Sequence, residues 1–137
     1  MSLNQSMLGH TWPATTYTVG GEKVAEFLEA IGAGRPTDPA TAAVPPTFAV
    51  AVVAGAQESV FFDADLGLDF SRVVHRDQRF DHHRPMRVGD RLRCEPTVTG
   101  IQQLAGNDVL TVTTEVRDAA GHPVCTAVTG LVARAAS

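Results

Sequence analysis

Between His75 and His83 the chain places three histidines, two aspartates and a glutamine within nine positions: His75, Asp77, Gln78, Asp81, His82 and His83. Imidazole and carboxylate groups at this density are the raw material of an acid–base pair or a metal site. Strand residues alternate between faces, so His75, Asp77, Asp81 and His83 are expected on one side, with His75 and Asp77 as the candidate pair for proton transfer. Two-residue spacings without further Cys or His ligands are poor evidence for zinc, and neither a metal nor a cofactor is expected. Arg72, Arg76, Arg79 and Arg84 run through the same stretch, and a solvated or interface face uses the same residue types.

A second candidate lies at Pro45-Pro46-Thr47-Phe48, just ahead of the most apolar run in the chain. Backbone amides at a helix start can hold a carbonyl oxygen or an anion. Simple capping by Thr47 is the competing reading.

These groups need a scaffold, and periodicity outlines one. From Glu22 to Ile31, Val24, Phe27, Leu28 and Ile31 recur at helical spacing with Gly32 just past the end, which predicts a short amphipathic helix. Thr47 to Gln57 is apolar on every side, the mark of a buried helix, although Val50, Val52 and Val53 also suit a strand. Tyr17 to Val19 is a candidate short strand, and Ala33 to Pro46 reads as irregular loop. The later segments Arg72–His83, Asp90–Ile101, Val109–Asp118 and Pro123–Arg134 are rich in strand formers and predict an antiparallel meander. Leu110, Val112, Thr114 and Val116 alternate as a half-buried strand does. An antiparallel sheet wrapped around a central apolar helix is the α+β architecture called a hot dog, here as one domain over 1–137.

Composition narrows the function classes. With 137 residues, 44% hydrophobic and 19% charged, the chain has enough apolar material for a packed core. A net charge of -4, with the Arg72–Arg93 cluster interrupted by Asp77, Asp81 and Asp90, argues against nucleic acid while leaving room for a small anionic ligand. No segment reads as a secretory signal or a membrane span, so a cytoplasmic protein without membrane insertion is expected. Cys94 and Cys125 fall in strand-like segments and read as core thiols, with a cross-strand disulfide as the lesser alternative. Trp12 and Tyr17 read as packing residues, and Gly89-Asp90 as a turn.

Pro45-Pro46-Thr47-Phe48, the run Val73 to Phe80, and His83-Arg84-Pro85-Met86-Arg87-Val88-Gly89-Asp90-Arg91-Leu92 together resemble the MaoC-like, or FAS1-like, dehydratase N-terminal domain family. Gly106-Asn107-Asp108-Val109-Leu110 and the closing Leu131 to Ala135 extend the resemblance nearly end to end. It is nearest to the non-catalytic subunit of actinobacterial (3R)-hydroxyacyl-ACP dehydratases. The resemblance implies reversible addition of water across a 2-enoyl thioester, with an Asp and a His spaced D-x-N-P-x-H ahead of the central helix in catalytic members. Here that stretch reads Ala33-Gly34-Arg35-Pro36-Thr37-Asp38, and only the proline agrees. Ala33 cannot move a proton, Arg35 is permanently charged, and Asp38 stands in the histidine's place. The loop from Pro36 to Pro45 also reads as short for the family.

The resemblance therefore implies a subunit without its own dyad. It would bind an acyl-CoA or acyl-ACP thioester near Pro46, Thr47, Phe48 and Gln78, as a homodimer or as a heterodimer with a catalytic MaoC-like subunit. The matching His and Gln look structural or interfacial in the resembling subunits. Two further readings stay open: a self-sufficient hydratase or acyl-CoA thioesterase using His75 and Asp77, and an acyl-thioester binding module without chemistry.

Overall fold

A computed structural model describes residues 3–135. In chain order they form β1 (Thr15–Thr18), α1 (Gly21–Ala30), α2 (Ala49–Phe61), β2 (Val73–His82), β3 (Arg91–Leu104), β4 (Asn107–Arg117) and β5 (Pro123–Ala133). All strand pairings are antiparallel, in the order β1-β3-β4-β5-β2. The expected hot-dog architecture is present, because the inward residues of the sheet close over α2.

Alternation builds that closure. Leu92, Cys94 and Val98 on β3, Leu110, Val112 and Val116 on β4, and Cys125, Ala127 and Leu131 on β5 are all buried. They meet Ala49, Val52, Val53, Ala56 and Val60 of α2, also buried. Phe48 is fully buried at the start of the helix, with its ring 5.4 Å from Phe27 and 6.3 Å from Tyr17. Full burial of one such side chain contributes about 1.5–3 kcal/mol.

Several expectations change. The four C-terminal strands are not one meander: β3, β4 and β5 are, but β2 crosses to the far edge and pairs with β5. The first strand is Thr15–Thr18, and Val19 beyond it is buried with its amide bonded to the Asp90 carbonyl. Ile31 is 52% exposed, so α1 packs through Val24, Ala25, Phe27 and Leu28 instead. The central helix continues to Phe61, past the expected end at Gln57, because Glu58 and Ser59 lie on its outer side. Its all-round apolarity does not mean all-round burial: Val50, Ala54 and Gly55 are exposed on that same side. Cys94 and Cys125 are unpaired, and each sits opposite Val116 from either side. A whole strand between them puts their backbones roughly 10 Å apart, beyond disulfide reach.

Candidate functional site

Helix α2 is entered through Pro45 and a single 3-10 turn, Pro46–Phe48. Proline suits this position because it has no amide to leave unpaired. Thr47 makes no side-chain cap, which corrects the capping expectation; it is exposed where the helix begins. The support comes from β2. His82 Nε2 lies 2.9 Å from the Pro46 carbonyl oxygen. A carbonyl only accepts, so the imidazole carries a proton on Nε2. Its Nδ1 is buried and has no hydrogen-bond partner among the described residues.

Beside this contact is a cavity of about 350 Å³ lined by Val44, Pro45, Pro46, His82, Pro85 and Met86, with His83 and Arg84 at its wall. A second cavity of about 410 Å³ shares Val44, Pro85 and Met86 and continues along Ala40–Ala43. Volumes of this size suit small ligands. His83 Nε2 is 3.2 Å from the Thr126 hydroxyl. Arg84 is held by both oxygens of Asp90, at 2.8 and 3.3 Å, with Asp118 at 3.7 Å. The wall of the cavity is thereby fixed by an ion cluster joining two turns.

Three positions of the loop ahead of the helix take part in local structure. The Ala33 amide donates to the Leu28 carbonyl and finishes α1. Arg35 Nη2 is 2.7 Å from Glu22 Oε2, and this bond raises an already high guanidinium value further. Asp38 Oδ1 accepts from the Ala40 amide at 3.1 Å, capping the 3-10 turn Pro39–Thr41.

The pairing of His75 with Asp77 does not hold. An extra residue at Arg76 bulges β2, so His75 sits opposite Leu131 and Asp77 opposite Gly130. Adjacent residues of β5 face opposite sides of the sheet, and the two candidates are therefore separated by it. Beyond the bulge, Gln78, Phe80 and His82 turn toward the helix, while Asp77, Arg79, Asp81 and His83 stay exposed. Gln78 joins a core chain: Gln57 Nε2 donates to Thr129 Oγ1 at 2.6 Å, and Thr129 donates to Gln78 Oε1 at 2.7 Å. Of the expected binding residues, Pro46 lines the cavity, Thr47 is exposed nearby, Phe48 is core, and Gln78 is tied up in this chain. The residues missed were His82 and Met86. The only sequence signal for His82 was its place in the polar cluster.

A curved antiparallel sheet around a central helix, with a cavity at that helix's start, defines a hot-dog protein. The chain belongs to the FAS1-like, dehydratase domain region family, whose pattern matches residues 6–127. It is 50% identical to a UPF0336 protein of Streptomyces avermitilis, over 99% of this chain and 98% of that one. That alignment runs 147 positions against 137 residues here, so the relative carries residues this chain lacks. Among solved structures, a MaoC-like dehydratase superposes with a TM-score of 0.81 at 26% identity, over 96% of this chain, which spans 43% of that one. The C-terminally truncated HadBC (3R)-hydroxyacyl-ACP dehydratase complex of Mycobacterium tuberculosis shares the fold, with a TM-score of 0.74 at 24% identity over 92% of this chain and 96% of that one.

Proposed function

We propose that this chain is the non-catalytic, thioester-holding subunit of a two-chain MaoC-like (3R)-hydroxyacyl thioester dehydratase, working as a single 1–137 unit in the cytoplasm. The observation that carries the reading is the state of the loop ahead of α2. Ala33 ends a helix, Arg35 is bound to Glu22, and Asp38 caps a turn. Ala33 has no ionisable group, Arg35 stays charged, and the Asp38 carboxylate is engaged at one oxygen by the Ala40 amide.

The chemistry to be served is water addition across a 2-enoyl thioester. A base delivers water to C3, C2 takes up a proton, and charge builds on the thioester oxygen on the way. In this reading the catalytic subunit brings the acid and base. This chain brings the cavity beside Pro46, just ahead of α2, with His82 bonded to the Pro46 carbonyl. The acyl carrier is CoA or an acyl-carrier protein. The bulge that separates His75 from Asp77 weighs against a self-sufficient enzyme built on that pair.

The test is a titration of this chain into a fixed amount of a catalytic MaoC-like chain, following hydration of a 2-enoyl thioester by loss of its conjugated absorbance. Turnover should rise and level off at one equivalent. Turnover that stays flat through the titration contradicts the proposal.

A further inference from the structure

The chain carries a net charge of -4, yet its cations are unevenly placed. Arg84, Arg87, Arg91, Arg93 and Arg117 gather at one end of the sheet, around the turn that leads from β2 into β3. Arg93 stands directly opposite Arg117 on the neighbouring strand. Leu92 and Cys94 point inward and are buried, so Arg91, Arg93 and Arg117 share the outer face of the sheet. On the other side of β3, Arg91 and Arg93 face Thr18 and Thr16, which carry no charge.

Arg84 is already neutralised by Asp90 and Asp118. The other four are exposed, and among the described residues none of them forms an ion pair. The next outward positions along the two strands, Glu95 and Glu115, stand opposite each other, and Glu115 accepts a bond from the Thr126 hydroxyl at 3.0 Å. Like charges directly opposite on neighbouring strands are destabilising, and a negatively charged surface laid over Arg93 and Arg117 relieves them. Arg87 joins this cluster to the interior. It lines the cavity of about 410 Å³ with Pro85 and Met86, and its amide is held by Asp90 Oδ2 at 2.8 Å.

We infer that this end of the sheet docks an acidic acyl-carrier protein, with Arg91, Arg93 and Arg117 meeting its carboxylates and Arg87 standing where its acyl-bearing arm enters the cavity. The inference rests on the proposed thioester-holding role and names the carrier that reading leaves open. CoA uses less of the arrangement. Its phosphates reach Arg87 at the cavity wall, but the other three guanidinium groups lie on the outer face, away from the inner side that lines the cavity. A protein brings negative charge to both places at once. Contacts between exposed charges act chiefly on encounter and are screened by salt, so the attraction falls as ionic strength rises.

The experiment follows the fluorescence anisotropy of a dye-labelled acyl-carrier protein, in its phosphopantetheine-bearing form, as this chain is added. The wild type is expected to bind, and added salt to weaken the binding. Arg91→Glu/Arg93→Glu, shown to be folded by circular dichroism, should lose roughly tenfold or more in affinity. Arg76→Glu/Arg134→Glu makes the same change in net charge elsewhere and should bind as the wild type does. No binding by the wild type, equal loss in both double variants, or displacement of the carrier by CoA at the same concentration overturns the inference. Binding is read without turnover, so the two failures are distinct. A flat two-chain titration with the carrier still bound removes the subunit reading and leaves the docking surface standing.

Discussion

Gln57 and Thr129 meet at 2.6 Å inside the core, the helix amide donating to a strand hydroxyl that in turn donates to Gln78 on the edge strand. Gln57 is 6% exposed and Thr129 fully buried. The chain ties α2 to β2 across β5 with every step satisfied. Thr129→Val keeps the shape but leaves the Gln57 amide and the Gln78 oxygen without this partner. A loss of about 1–3 kcal/mol is expected. Urea unfolding measures it, and Thr129→Ser, which keeps the hydroxyl, should lie close to wild type. Equal loss in both variants would point to packing, not hydrogen bonding.

The Arg84–Asp90 pair makes stability pH-dependent. Burial pushes the Asp90 carboxyl up, but the Arg84 guanidinium and the Arg87 amide more than offset this and hold it below the usual value. Asp118 is also lowered, first by the His122 amide. A depressed carboxyl contributes stability above its unfolded value, roughly pH 4, and that contribution is lost as pH falls through the folded value. Melting temperature should therefore drop steeply below about pH 4. Asp90→Asn should be less stable at pH 7 and show a shallower acid slope. An unchanged slope would remove Asp90 from the account.

The β3–β4 hairpin turns on two residues, and both have positive φ: Ala105 at 52° and Gly106 at 82°. Glycine takes this conformation readily, whereas an alanine there is strained. Ala105→Asn produces the Asn-Gly pair that such turns favour, and it should stabilise the protein by about 0.5–1 kcal/mol. Thermal unfolding reads this directly, and a lower midpoint would contradict it.

Much of this was legible in advance. The alternation of Leu110, Val112, Thr114 and Val116 told which face of β4 is buried, and the apolar run after Pro45-Pro46 favoured the central helix over the strand that its valines also suit. The neighbour of β2 was not legible, because alternation says which face is buried and not which strand lies alongside. Nor was the bulge. One extra residue at Arg76, marked by no Gly or Pro, reverses the facing of everything before it and separates His75 from Asp77. The His82–Pro46 bond joins residues 36 apart in sequence, so no local pattern could announce it. That Ala33 and Arg35 cannot exchange a proton needed only residue types, and the structure adds the contacts that they and Asp38 make.

The central claim is that this chain holds a thioester without performing the chemistry. Its most direct test is the steady-state hydration of crotonyl-CoA by the pure chain, beside the His75→Ala variant. The account predicts no turnover above the uncatalysed background for either protein. Turnover by the pure chain at an enzyme-like rate would contradict it, and loss of that turnover in a folded His75→Ala variant would assign it to His75.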